Sequence, residues 1–222
     1  ISPVDSDDDK YDELYQNVQN GDTLLKQEEF IDMGNVDDIS QGEYFGGAVW
    51  ALIKSFKSPF KTLMKMGILE EYMFGDTKFN LLCHQVKDKY FNDVPYLDID
   101  PYLVMFERVQ QFFKETKDEE SVDALRHAFY LKVGTQIEPD ELGKGSKIWR
   151  KNTLINMLKE WGWDAKKLER LNDYSNWQMM HKVDLGNRIN KILMASYKNI
   201  SEKNKTLDPS ESLITEQDTH LL

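Results

Sequence analysis

The chain has 222 residues, of which 40% are hydrophobic and 12% aromatic, and its formal net charge is −11. A chain of this length and apolar content can bury a sizeable core, which excludes wholesale disorder. The longest uncharged apolar run extends from Tyr44 to Ile53, and it is too short for a transmembrane helix of about 20 residues.

The negative charge is concentrated at the start of the chain. Residues 1–44 contain thirteen acidic residues and two basic ones, which accounts for the whole net charge, whereas residues 45–222 balance. We therefore predict a loose acidic leader over residues 1–43, which repels nucleic acid and docks on a protein with a basic surface. The alternative is a tail that only solvates the chain. The residues predicted to contact the partner are Asp7, Asp8, Asp9, Tyr11, Asp12, Glu13 and Tyr15, and Tyr11 is a candidate for sulfation.

Four lysines follow in an amphipathic segment. Lys54, Lys57, Lys61 and Lys65 are three or four residues apart, so they align along one side of a helix. The pair Ser58-Pro59 either starts a second helix there or kinks the first. This face is a candidate for binding an anion or a membrane surface. The alternative, which we favour, is a packed helix whose solvent side happens to be lysine.

The most regular predicted helix begins near residue 100. Asp100 is a suitable N-cap, and Pro101 is favoured at the first helical position. Apolar residues then recur at helical spacing along one face, while charged and amide side chains occupy the opposite face. The predicted inward residues are Tyr102, Met105, Phe106, Val109, Phe112 and Phe113.

Further helices are predicted downstream. Ser121 is expected to cap a helix that ends at Gly134, and Ser146 to open a helix that ends at Gly162. A last helix is marked by Leu185, Ile189, Ile192, Leu193 and Ser196. No convincing strand pattern appears. We predict an all-α fold, a single helical bundle of about six to eight helices over residues 44–198, followed by a loose polar tail over residues 199–222.

Residues that could carry catalysis or hold a metal are sparse. The chain has one cysteine, Cys83, and four histidines without the spacing of metal ligands. We therefore predict no metal, no cofactor and no catalytic residues, and hence a protein that is not an enzyme. The sequons at Asn199 and Asn204 are candidates for glycosylation.

In layout, the acidic segment from Asp5 to Tyr15 followed by a helical body resembles the helical salivary proteins of blood-feeding insects. The resemblance implies a secreted, non-enzymatic binding protein directed at a host or partner protein. Two alternatives remain open. One is an intracellular or viral adaptor, which would place the protein in the cytoplasm and suits the free thiol of Cys83. The other is a carrier of lipid or of a small hydrophobic ligand, based on the aromatic second half. The oligomeric state is not predicted.

Overall fold

The computed structural model describes residues 39–74, 81–91, 100–146 and 148–207. These residues form nine α-helices and one 3-10 turn, Tyr174–Asn176. In chain order the helices are α1 (Gln41–Ser55), α2 (Pro59–Phe74), α3 (Leu82–Phe91), α4 (Pro101–Thr116), α5 (Glu119–Val133), α6 (Glu141–Lys144), α7 (Trp149–Glu160), α8 (Ala165–Asn172) and α9 (Met179–Asn204).

Helix α2 is at the centre of the bundle, because it packs against α1, α4, α5 and α9. Its buried residues include Leu63, Met64 and Met66, which are fully enclosed. The close approach of α4 requires Gly67, since a Cβ atom at this position would lie 2.4 Å from Val109 Cγ1 and 3.1 Å from a Phe113 ring carbon. A small residue in α2 therefore sets the distance between the two helices.

The predicted start of α4 is confirmed. Asp100 Oδ1 accepts a hydrogen bond from the Tyr102 amide at 2.8 Å, and Pro101 is the first helical residue. Of the predicted apolar face, Met105, Phe106, Val109 and Phe113 are buried, while Tyr102 and Phe112 are half-buried against the core. Val104 is also buried. The local capping signal and the helical period were sufficient to locate this element.

Two predicted helix starts are displaced. Helix α5 begins at Glu119 with Asp118 as its N-cap, because the Asp118 side chain accepts from the Ser121 amide at 2.8 Å. Helix α7 begins at Trp149 rather than at Ser146. The predicted ends hold, since Gly134 and Gly162 have φ values of 68° and 69°, in the left-handed region that favours glycine.

Helix α9 continues to Asn204, past the end of the predicted domain at residue 198. Its predicted inward residues Leu185, Ile189, Ile192, Leu193 and Ser196 are buried. Both sequon asparagines therefore lie in this helix. Asn199 Nδ2, the atom to which a glycan would be attached, donates to Glu70 Oε1 at 2.7 Å, so a glycan there would break this bond. Glycosylation at the two positions stays a prediction.

Two buried carboxylates connect α2 to its neighbours. Glu70, which is 2% exposed, pairs with Lys117 at 2.6 Å and also accepts from Asn199 of α9. Glu71 accepts two hydrogen bonds from the Arg108 guanidinium of α4, both at 2.8 Å. The Arg108 guanidinium also lies 5.0 Å from the centre of the Tyr72 ring. We call Glu70, Glu71, Arg108, Lys117 and Asn199 the ionic layer.

The prediction of an all-helical domain is confirmed, and the part of the chain that the structure describes contains no strand. The described part of the chain has nine helices, whereas about six to eight were predicted, and α6 is a single turn. No helix among the described residues is long and apolar enough to span a bilayer. The partner-binding residues predicted between Asp7 and Tyr15 lie outside the described residues.

Candidate functional site

A cleft of about 490 Å³ is lined by residues of α5, α8 and α9 and of the segments next to α8. Four basic side chains line it, together with two carboxylates, one histidine and one tryptophan. They are Lys166, Lys167, Arg170, Arg188, Asp123, Asp164, His127 and Trp177. We call this feature the cationic cleft.

Asp123 of α5 organises the inner wall of the cleft. Its Oδ1 accepts from Lys167 Nζ at 2.7 Å, and its Oδ2 is 3.2 Å from His127 Nδ1. Burial raises the pKa of this carboxyl, but the hydrogen bonds from His127 and Lys167 lower it more. The pKa of Asp123 therefore lies well below its usual range, and the side chain is a carboxylate at neutral pH.

The tautomer of His127 follows from its neighbours. His127 Nδ1 lies 2.7 Å from the Asp123 carbonyl oxygen, as well as close to the Asp123 carboxylate. Both neighbours are acceptors, so Nδ1 carries the hydrogen and donates it. The imidazole is also 5.0 Å from the ring centre of Trp163, which is buried beneath the cleft. His127 is thus held in place from two sides.

Arg188 of α9 is less well matched than Lys167. Its guanidinium is 3.8 Å from Asp123 Oδ2 and 3.7 Å from Asp184 Oδ2, and both distances are too long for a hydrogen bond. The Nε atom is shielded from solvent and has no hydrogen-bond partner among the described residues. A buried donor in this condition carries a desolvation cost.

The outer wall of the cleft is formed by α8 and the aromatic residues beside it. The Arg170 guanidinium lies 5.0 Å from the Trp177 ring centre, and Trp177 Nε1 donates to the Arg170 carbonyl oxygen at 2.6 Å. Lys166 is exposed and forms no ion pair with the described residues. The cations of this wall therefore face the cleft without a matching carboxylate.

A hydrogen-bonded cluster holds α8 in position. The Tyr130 hydroxyl of α5 donates to Asn172 Oδ1 at 2.5 Å and accepts from the Ile137 amide at 3.3 Å. Asn172 Nδ2 in turn donates to the Ile137 carbonyl oxygen at 2.9 Å. Burial raises the pKa of Tyr130, so its hydroxyl keeps the proton that it donates. This cluster connects α5, α8 and the segment between α5 and α6.

The four lysines predicted to share a face are divided between two helices. Lys54 lies in the last turn of α1, Lys57 lies between the two helices, and Lys61 and Lys65 belong to α2. Ser58-Pro59 thus starts a second helix and does not kink the first. This is one of the two alternatives predicted from the sequence. Lys54 lies over the exposed Trp50 ring, and Lys61 is 5.8 Å from the Tyr102 ring centre. Their role in binding an anion or a membrane stays a prediction.

Sequence reasoning missed the cationic cleft. Lys166, Lys167 and Arg170 form a basic run on a short helix, which is also typical of an ordinary solvent face. Arg188 and Asp123 come from distant parts of the chain. Among the aromatic residues of the second half, on which the carrier alternative was based, Trp161 and Trp163 belong to the core, with Trp163 buried, and Trp177 lines the cleft. The described residues contain no cluster of three or more His, Cys, Asp or Glu side chains that could hold a metal ion.

The structure thus defines an all-helical protein with a cation-lined cleft, and comparison with known proteins assigns its family. Residues 39–222 match the family described as adenylate cyclase, class-I, second domain. The chain belongs to the class-I adenylate cyclase family.

Individual relatives agree with this assignment. The adenylate cyclase of Salmonella typhimurium is 30% identical over 200 residues, which is 90% of this chain and 23% of that protein. The adenylate cyclase of Escherichia coli K12 is 32% identical over 178 residues, or 80% of this chain and 21% of that protein. The chain therefore spans about a fifth of the length of these curated relatives. No solved structure matches it.

These findings correct the functional predictions. The resemblance to insect salivary proteins was wrong, because both the family and the relatives are adenylate cyclases. The interpretation as a secreted, non-enzymatic binding protein was wrong for the same reason, and the adaptor and the lipid carrier fit no better. The layout misled because an acidic segment before a helical body is a feature of composition, which is not specific to one family.

Proposed function

We propose that this chain is the helical second domain of an adenylate cyclase and takes part in converting ATP to cyclic AMP and pyrophosphate. The observation that carries the proposal is the family match, which extends over residues 39–222. A match of this extent covers every described helix, from α1 to α9, so it concerns the whole fold and not a local motif.

The chemistry of the cleft is compatible with this role. ATP and pyrophosphate carry several negative charges, and the cationic cleft presents four basic side chains against two carboxylates. ATP is abundant in the cytoplasm, so we also propose that the protein acts there and not outside the cell.

A chimeric enzyme tests the proposal. The matching 178-residue segment of the Escherichia coli cyclase is replaced by the corresponding part of this chain, and the chimera is produced in cells that lack their own adenylate cyclase. We expect cyclic AMP to accumulate, because the two segments share a family and 32% identity.

Two variants of the chimera serve as controls. Leu63→Asp places a charge in the closed core, so it should abolish cyclic AMP production together with folding. Lys198→Gln removes an exposed charge from α9 and should leave production unchanged. A chimera that is soluble and present at the level of the parent enzyme, yet makes no cyclic AMP, would overturn the proposal.

A further inference from the structure

We propose that the cationic cleft is a binding site for a di- or triphosphate group. This inference rests on the proposed function, because the cyclase reaction supplies the candidate anions. They are the polyphosphate of a nucleotide and free pyrophosphate. The two share the same chemistry, a row of phosphoryl oxygens with high negative charge.

The cationic cleft carries more positive than negative charge. Of the two carboxylates in the cleft, Asp123 is engaged by Lys167 and by His127. Asp164 caps α8 by accepting from the Lys167 amide at 2.7 Å. Lys166 and Arg170 therefore contribute charge that no carboxylate pairs with in the described part of the chain, whereas Arg188 shares Asp123 and Asp184 at 3.7 to 3.8 Å. Such a concentration of charge attracts a polyanion.

Arg188 lines the cleft and makes only long contacts with carboxylates. Its guanidinium stands 3.7 to 3.8 Å from two carboxylates, and its Nε is buried without a hydrogen-bond partner among the described residues. A planar guanidinium matches the spacing of two phosphoryl oxygens and binds them with two parallel hydrogen bonds. A phosphate bound in the cleft, which Arg188 lines, would therefore give this guanidinium closer contacts than its two long ion pairs provide.

The cleft has the size and the fixed walls of a ligand site. Its volume of about 490 Å³ is in the range of small-ligand sites. The Tyr130–Asn172 hydrogen bond connects α8 to α5, and α9 packs against α5. The basic side chains thus project from helices whose relative positions are set by buried contacts. A preorganised site of this kind loses little entropy when the ligand binds.

Isothermal titration calorimetry of the 222-residue chain tests this inference, with inorganic pyrophosphate and ATP as probes and cyclic AMP as a singly charged control. We expect pyrophosphate and ATP to bind, to weaken steeply with added salt, and to bind at least about tenfold more tightly than cyclic AMP. Binding of ATP but not of pyrophosphate would identify a nucleotide as the source of the phosphates. Binding of both would show that the phosphates suffice.

Variants assign the binding to the cleft. Arg188→Gln should weaken pyrophosphate about tenfold, since a charge-assisted hydrogen bond is lost, and Arg188→Lys should weaken it less. Lys198→Gln, on the same helix but in an exposed pair with Glu202, is the matched control and should bind normally. Should Arg188→Gln fail to fold by circular dichroism, the exposed double variant Lys166→Gln/Arg170→Gln provides the same test.

Two results would overturn the site: no binding of either probe to the folded chain, or equal binding by the parent and by the folded cleft variants. Neither result bears on the chimeric cyclase. An active chimera together with a chain that binds no phosphate would remove the cleft as a ligand site and leave the proposed function intact.

Discussion

The ionic layer and the cationic cleft both contain arginine, lysine and carboxylates, but their charges are satisfied to different degrees. In the ionic layer, Lys117 and Arg108 meet Glu70 and Glu71 at 2.6 to 2.8 Å. In the cleft, Lys167 meets Asp123 at 2.7 Å, but Arg188 stands 3.7 to 3.8 Å from its carboxylates, and Lys166 and Arg170 pair with none among the described residues. Charges that are matched at hydrogen-bond distance hold helices together, whereas charges left over are available for a ligand. The number of charges alone would not separate the two regions.

The largest effect is expected from breaking the ionic layer. Arg108→Met leaves the Glu71 carboxylate, 9% exposed, without its two hydrogen bonds from the guanidinium. The free energy of unfolding should fall by about 3–5 kcal/mol, which is typical when one partner of a buried pair is removed. Urea unfolding followed by circular dichroism measures it.

The double variant Arg108→Met/Glu71→Leu is the control for that experiment. It removes both charges, so it should be more stable than Arg108→Met alone. Glu202→Gln, which breaks an exposed pair with Lys198, should cost less than about 1 kcal/mol. A single variant as stable as the parent would show that the ionic layer does not hold the helices.

Next in size is the packing of α2 against α4. Gly67→Ala places a Cβ atom 2.4 Å from Val109 Cγ1, and overpacking of this kind costs about 1–3 kcal/mol. Alanine is the better helix former by about 1 kcal/mol, so the net destabilisation should be at most about 2 kcal/mol. Thermal unfolding detects a loss of this size.

Gly186 of α9 provides the matched substitution, because a Cβ atom there meets nothing within 4 Å. Gly186→Ala should stabilise the chain by about 0.5–1 kcal/mol through helix propensity alone. Equal effects at Gly67 and Gly186 would contradict the close helix contact.

Breaking the hydrogen-bonded cluster that positions α8 should lower both the free energy of unfolding and the affinity of the cleft for pyrophosphate. Tyr130→Phe removes the hydroxyl that bonds Asn172 and Ile137, at a cost of about 1–2 kcal/mol for polar groups left without partners. Pyrophosphate affinity should fall with it, because Lys166 and Arg170 are carried on α8. A destabilised Tyr130→Phe with unchanged affinity would show that α8 keeps its position without this cluster.

The smallest effect is expected at Asp123, which is partly exposed. Its depressed pKa means that its carboxylate contributes stability above its unfolded pKa of about 4, and that this contribution is lost as the pH falls further. Asp123→Asn should therefore cost about 1 kcal/mol or less at pH 7, after allowance for solvent screening. The difference from the parent should shrink progressively below about pH 4.

Urea unfolding at several pH values measures this difference. The same substitution removes a negative charge from the cleft, so it should also strengthen pyrophosphate binding a few-fold. A stability difference that grows as the pH is lowered would contradict the assigned role of Asp123.

Local signals in the sequence were sufficient for much of the fold. Asp100 with Pro101 located the start of α4, and Gly134 located the end of α5, because capping chemistry acts over one helical turn. The start of α5 was misplaced because Ser121 and Asp118 are both good caps, and only the backbone geometry shows that Asp118 is used. The helical period alone identified the buried face of α9.

The tertiary structure alone decided where the sites are. Glu70 and Asn199 are 129 residues apart in sequence, and Asp123 and Lys167 are 44 apart, so no window of local sequence relates them. The packing decides which charges lie within about 4 Å of a given lysine. Those neighbours determine whether the lysine faces solvent, pairs with a buried carboxylate or belongs to a ligand site. The sequence by itself determined the helices, because hydrogen bonding and capping are local. Packing decided the ionic layer and the cationic cleft, because electrostatic energy depends on distance in space.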